Sequence, residues 1–375
     1  MHEKEIAELR RHLRPDRVSP GALYGCLVNE KKEIVTAFRQ PLSVTSQDDL
    51  GALLTTMRKV LSGTPDKNLL TLPFTNSQVM DSDVHRLFMD LRDPTPRGAE
   101  AVNALFGKIA ETAVMDGPYM ILLLQDVYDV PAYAKDGEKE ESESVFSYAL
   151  TALCPLKETK PALGFLPGEN AFKSLSSQNV IAPPAVGFLF PSFDDRTANI
   201  YDVLYYTKDT SSNHPEFIES VLEMTVPMPA DEQKETFSDL LSASLDTDCS
   251  LKVALHLTDA FREQLEEYKT SGGEEARPVV TKSKVSALLR ESGVAEERVE
   301  AFSEKYEEQF GKAALPPQNL LGSRQIEVDT PDVQIRVNPD RSDLIGTRTI
   351  DGVRYILIRA ENGVEVNGMR VILEE

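Results

Sequence analysis

Tyr119-Met120-Ile121-Leu122-Leu123-Leu124 is the longest apolar run in the chain. It is far short of the roughly 20 residues that a membrane-spanning helix needs. It has the length of a strand covered on both faces, buried among other elements rather than lying half in water. The run therefore predicts an α+β or mixed α/β domain in which a mixed sheet carries flanking helices.

Upstream of this strand the pattern alternates between helix and strand. Residues 3–14 place Ile6, Leu9 and Leu13 on one helical face, and Pro15 ends that helix by pushing the preceding residue out of the helical region. Residues 22–28 and 33–38 are apolar-rich and flank Asn29-Glu30-Lys31-Lys32, which reads as a hairpin. Leu50, Leu53, Leu54, Met57, Val60 and Leu61 fall on one stripe of a helix, with Ser46 placed to cap it and Gly63 after its end. A strand at 68–74 and helices at about 77–91 and 98–115 follow, the second with a core face of Val102, Leu105, Phe106, Ile109 and Ala113.

Downstream, residues 145–156, 185–190 and 199–206 read as strands, and the charged stretch Asp136 to Ser144 as a surface loop. Helices return at about 215–224, 231–245 and 250–268. Thr270-Ser271-Gly272-Gly273-Glu274-Glu275-Ala276-Arg277-Pro278 has no apolar anchor and reads as a linker. The expected organisation is a main α/β domain over 1–269, the linker at 270–278, a helical hairpin over 279–315 and a β-meander over 316–375. In the meander, Ile350-Asp351-Gly352-Val353 and Asn362-Gly363 are tight-turn signals. Val353, Tyr355 and Leu357 alternate with Ile356 and Ile358, which predicts a strand buried on both sides.

Composition narrows the partners. The chain has 40 Lys and Arg against 61 Asp and Glu, a net charge of −21. Nucleic acid and anionic membranes are bound through cations that replace counterions, so this balance disfavours both. Cys26, Cys154 and Cys249 are odd in number and far apart, which fits small buried hydrophobes in a reducing setting rather than a disulfide framework. Met1-His2-Glu3-Lys4-Glu5 is not a secretion signal, so a cytoplasmic, membrane-free protein is expected.

Motifs for chemistry are missing. No Gly-x-Gly loop, Gly-x-Ser-x-Gly elbow, His-Glu-x-x-His or Cys-x-x-Cys is present. His2, His12, His85, His214 and His256 have no companions at metal-ligand spacing, and His85 and His256 read as packed or capping residues. Asp126 and Asp129 follow one strand, and Asp194 and Asp195 another. Acidic pairs beyond strand ends suit a divalent metal or shared acid–base roles.

Ser62-Gly63-Thr64-Pro65-Asp66-Lys67-Asn68 reads as a helix-ending turn. Its Ser, Thr and Lys suit a phosphate, but it opens no glycine-rich helix N-terminus. Arg10, Arg11, Arg14 and Arg17 form the one local positive patch. It reads as side chains snorkelling around a packed helix, with contact to nucleic acid as the alternative. The helix pair around Gly293 is too acidic to read DNA and reads as a helical hairpin or protein-binding surface.

The two ends of the chain carry a resemblance. Glu5-Ile6-Ala7-Glu8-Leu9-Arg10-Arg11, Gly25-Cys26, Leu61-Ser62-Gly63 and Asn68-Leu69-Leu70 resemble the opening of a bacterial family known as domain of unknown function 4317. Thr330-Pro331-Asp332-Val333-Gln334-Ile335-Arg336-Val337, Ile350 to Ile358 and Val364-Glu365-Val366-Asn367-Gly368 resemble its close. The resemblance implies a bacterial intracellular protein and brings no activity, ligand or catalytic residue. The expected function is therefore a non-enzymatic one, exerted by binding another protein, with no cofactor. A metal-assisted enzyme using the pairs at Asp126 and Asp194 is the first alternative, and nucleic-acid binding through the Arg cluster the second. Oligomeric state and strand order do not follow from the sequence.

Overall fold

The computed structural model describes every residue except 19–21, 113–114, 134–138, 273–275, 323–324, 361–362, 367 and 372–375. It divides into two compact units, Met1–Pro229 and Ala230–Glu375.

The first unit contains, in chain order, α1 (Glu3–His12), β1 (Ala22–Val28), β2 (Ile34–Pro41), and α2 (Gln47–Arg58) extended by a 3-10 turn at Lys59–Leu61. Then come β3 (Leu69–Pro73), α3 (Asn76–Asp81), α4 (Asp83–Leu91) and α5 (Pro96–Glu111). The strands β4 (Tyr119–Tyr133), β5 (Lys139–Glu158), β6 (Ala162–Leu166), β7 (Ala171–Leu175), β8 (Asn179–Ile181) and β9 (Val186–Phe190) follow. The unit closes with β10 (Ser192–Asp194), β11 (Thr197–Asn199), β12 (Asp202–Thr207) and α6 (Pro215–Phe217), which runs into a π-helical turn at Ile218–Leu222.

One sheet organises this unit, in the order β2-β1-β4-β5-β9-β12-β3, with β8 pairing with β5 off this path. Every pair in that order is antiparallel. The apolar run at Tyr119–Leu124 lies in β4, near the middle, and both its faces are covered. Tyr119, Ile121 and Leu123 enter a core with Phe88 of α4 and Leu105 and Phe106 of α5. Leu122 and Leu124 enter a second core, on the other face, with Leu9 of α1 and Leu54 and Met57 of α2. The period of two sends successive side chains to opposite cores. Each fully buried leucine contributes about 1.5–3 kcal/mol, so a sheet sandwiched between two helical layers is the stable arrangement for this sequence.

α2 begins at the cap the sequence places, and α5 at a further one. Ser46 accepts from the Asp49 amide at the start of α2, and Thr95 accepts from Gly98 at the start of α5. The loop expected at 136–144 does not hold from Lys139 onward. Residues 134–138 lie outside the described residues, and from Lys139 onward the chain is already strand, with Tyr133 opposite Lys139. Backbone ladders do not require apolar side chains, which is how a charged segment extends β5.

The second unit holds α7 (Ala230–Leu245), α8 (Leu251–Thr270), α9 (Lys282–Glu291), α10 (Glu296–Phe310) and α11 (Pro317–Leu320). Three two-stranded hairpins follow: β13 (Ile326–Asp329) with β14 (Gln334–Val337), β15 (Ile345–Ile350) with β16 (Val353–Ile358), and β17 (Val364–Val366) with β18 (Met369–Val371). The boundary expected at 269–270 falls inside this unit. Phe237, Leu240, Val253, Leu257 and Phe261 of α7 and α8 share one core with Val285, Leu289, Val299, Phe302 and Tyr306 of the helical hairpin. The stretch 270–278 connects two helices of one unit, and its residues 273–275 lie outside the described residues.

Ile326, Val337 and Ile345 pack with Leu251 and Leu255 of α8. Asp351 and Gly352 both have positive φ, 50° and 80°, which is the tight turn expected at Ile350–Val353. Asn362 of the other expected turn lies outside the described residues. The burial expected for Val353–Ile358 is overturned: every residue of β16 is exposed. Among the described residues β16 pairs with β15 alone, and an apolar alternation shows only that a strand has apolar faces, not that another layer covers them.

Candidate functional site

The four acidic candidates have separate surroundings. Asp126 is buried in β4, where its Oδ2 lies 2.7 Å from His12 Nε2 and accepts a hydrogen bond from the Tyr148 hydroxyl, also at 2.7 Å. The Tyr128 ring lies 4.3 Å from the His12 ring, centroid to centroid. Burial pushes the Tyr148 hydroxyl well above its ordinary pKa, with Asp126's charge and hydrogen bond adding to the rise. All three residues are nearly sealed from water, so the cluster ties α1 to the sheet rather than presenting a reacting group to a ligand. Asp129 is exposed, and three positions along a strand put it on the opposite face from Asp126.

Asp194, at the end of β10, lies 3.0 Å from the α-amino group of Met1. Burial works to raise its carboxyl, but the hydrogen bond and charge of that amino group outweigh it and hold the group below the ordinary range. Asp195 is exposed and Arg196 half-buried, both at positive φ, and together they form the turn between β10 and β11. The rule that ligands collect beyond strand ends belongs to parallel α/β sheets, where all those ends lie on one side. In this antiparallel sheet it does not apply. Among the described residues no group of three or more His, Cys, Asp and Glu side chains is placed to hold a metal ion.

His85 and His256, outside this network, have structural partners. His85 Nε2 lies 2.9 Å from the Ile200 carbonyl, and its ring meets Phe74 and Phe190 edge-on. His256 Nδ1 lies 2.7 Å from Ser292 Oγ. Cys26 and Cys154 are buried as expected, and burial pushes their thiols up to about 11 and about 12. Cys249 is exposed, contrary to expectation, because it lies in the turn between α7 and α8.

The structure splits the N-terminal basic cluster and enlarges it. Arg17 pairs with Asp16 at 3.8 Å. Arg10, Arg11 and Arg14 line a pocket that also receives Arg58 and Lys59 from the end of α2. Ser62, from the loop read as a helix-ending turn, lines it too and donates to the Lys59 carbonyl at 2.7 Å, which makes that turn.

Exposed apolar side chains concentrate on two hairpins. On β15–β16, Ile350, Val353, Tyr355, Ile356, Leu357 and Ile358 are all exposed, Val353 to 55% and Ile358 to 54%. These residues occupy both faces of the hairpin. On β6–β7 in the first unit, Leu163, Phe165, Phe172 and Leu175 are exposed, Leu163 to 76%. The sequence reading does not find this second hairpin. Leu163 and Phe165 alternate with Ala162 and Gly164, a weak period-two signal beside the long apolar strands around it.

A family model described as domain of unknown function (DUF4317) matches residues 1–369. No match was found among curated proteins or among solved structures. No helix among the described residues is long and apolar enough to cross a membrane.

Proposed function

For a chain that belongs to the DUF4317 family, and gains no activity from that membership, we propose a non-enzymatic role in binding a protein partner through the hairpin β15–β16. The observation that carries the reading is the exposure of β16 on both faces while, among the described residues, its one ladder partner is β15. An isolated two-stranded hairpin is marginal in water. One that exposes valine, tyrosine, leucine and isoleucine on both faces gains by being covered, and its open edge offers backbone donors and acceptors to an added strand. The exposed hairpin β6–β7 adds a second apolar surface of the same kind.

The acidic pairs do not favour the metal-assisted alternative. Asp126 is engaged by His12 and Tyr148, Asp129 lies on the other face of β4, and Asp194 meets the Met1 amino group. Cytoplasmic, bacterial residence remains part of the proposal and rests on the reducing-compartment reading of the cysteines together with the family resemblance.

The test compares the full-length chain with a Tyr355→Lys, Leu357→Lys double variant, both captured from native extract by the same tag. The wild-type chain retains a stoichiometric protein partner that the double variant loses, while both melt at the same temperature. Equal recovery by the two chains, or no partner and no self-association for either, contradicts the reading.

A further inference from the structure

The basic pocket of the first unit has no role in binding through the C-terminal hairpin, and it carries a separate inference. Five cations, Arg10, Arg11, Arg14, Arg58 and Lys59, line a pocket of about 390 Å³. That volume lies within the range of small-molecule sites, about 300–1,000 Å³. Their gathering runs against the rest of the chain, in which 40 less these 5, or 35, basic residues face 61 acidic ones. Among the described residues none of the five forms an ion pair with a carboxylate.

Local structure explains part of the cluster. Arg10 and Arg11 lie in the last turn of α1 and Arg58 in the last turn of α2, where the helix macrodipole favours cations. Each helix C-terminus supplies about half a negative charge. Two of them offset about one of the five positive charges. The remaining excess, about four units, meets no carboxylate at ion-pair distance among the described residues.

We propose that this pocket binds a small molecule through a group of two or more linked phosphates. A phosphate group carries about −1.5 to −2 charges at neutral pH, so a single phosphate leaves much of the excess unmatched and a linked pair or triple meets it. Arginine presents a planar fork that grips phosphate oxygens in pairs. One such fork is already oriented, because Arg58 Nη2 donates to Thr55 Oγ1 at 3.1 Å on the pocket wall.

Two features favour a compact anion over a nucleic acid. Among the described residues no aromatic ring lines the pocket, so they offer a base no surface on which to stack. A polymer also needs cations along its length, whereas a strand leaving this pocket enters the field of a strongly acidic protein.

The experiment is titration calorimetry of the full-length chain at low salt with inorganic tripolyphosphate, orthophosphate and a single-stranded RNA oligomer. Tripolyphosphate binds at one site per chain, orthophosphate at least about tenfold more weakly, and both lose affinity as salt rises. An Arg14→Gln, Arg58→Gln double variant loses at least about tenfold in tripolyphosphate affinity. The unliganded double variant remains folded, since Arg14 is exposed and Arg58 half-buried. Arg17→Gln, at the residue paired with Asp16, binds as wild type. Absence of saturable tripolyphosphate binding, or binding indifferent to the double variant, overturns the assignment. RNA that binds more tightly than tripolyphosphate and competes with it overturns the choice of a small ligand. Hairpin variants at Tyr355 and Leu357 leave this titration unchanged, so the two proposals fail separately.

Discussion

His12 Nε2 and Asp126 Oδ2 lie 2.7 Å apart across 114 positions of sequence, in a site from which water is almost excluded. That contact joins the N-terminal helix to the centre of the sheet, and Tyr148 donates to the same carboxylate oxygen. A carboxylate in such surroundings is tolerated only while its partners remain.

His12→Ala removes one of those partners and leaves the carboxylate under-compensated. The expected cost is about 2–4 kcal/mol, read as a lower urea midpoint with an unchanged slope. A change below about 0.5 kcal/mol, the size of an ordinary surface substitution, is the result this network does not allow.

Gly187 and Gly107 have opposite expectations. A Cβ on Gly187 meets the Thr151 carbonyl and Val60 Cγ2, each at 2.6 Å, where the 3-10 turn after α2 lies against β9. Gly187→Ala is expected to destabilise by about 1–3 kcal/mol through overpacking. Gly107, in α5, has nothing within 4 Å of a new Cβ. Gly107→Ala is expected to stabilise by about 0.5–1 kcal/mol through helix propensity. Thermal unfolding of both variants against wild type reads the two signs.

Thiol reactivity follows burial. With native protein at pH 8, a disulfide reagent modifies Cys249, while Cys26 and Cys154 stay protonated and covered. One thiol per chain reacts before denaturation and all 3 after it. Cys249→Ser removes the native reaction. Fast native labelling of Cys26 or Cys154 counts against the two cores.

Acid sensitivity follows from Asp194. Its folded carboxyl is held below the ordinary range because the Met1 amino group outweighs the effect of burial. A depressed folded pKa gives stability that is present above the unfolded value, about 3.9, and is lost as pH falls through the folded one. Asp202 has the opposite sign: burial raises its carboxyl, so its ionisation in the folded state opposes stability as pH rises. Asp194→Asn therefore flattens the loss of stability below about pH 4, whereas Asp202→Asn does not. Equal acid profiles for wild type and Asp194→Asn contradict this assignment.

Local features of this fold are legible in the sequence. The apolar run at 119–124, the stripe from Leu50 to Leu61, the Ser46 cap and the Asp351-Gly352 turn each depend on residues a few positions apart. What the sequence hides is long-range. The order β2-β1-β4-β5-β9-β12-β3 depends on pairings that periodicity does not encode. Arg58 and Lys59 join Arg10, Arg11 and Arg14 because two helix ends meet, a juxtaposition that no charge run announces. Gly272-Gly273 marks a change of local composition, but the apolar faces of α7 and α8 place the compact-unit boundary before Ala230. The exposure of Val353–Ile358 is invisible for the same reason, since covering a strand is a property of its neighbours.

Hydrogen exchange across residues 345–358 tests the protein-binding role most directly. In the full-length chain at low concentration, these amides exchange faster than those of β4, which lie in the centre of the first unit's sheet. Adding the captured partner slows them selectively and leaves β4 unchanged. Slow exchange in the isolated monomer, or no change on adding that partner, shows that the hairpin is not the binding surface.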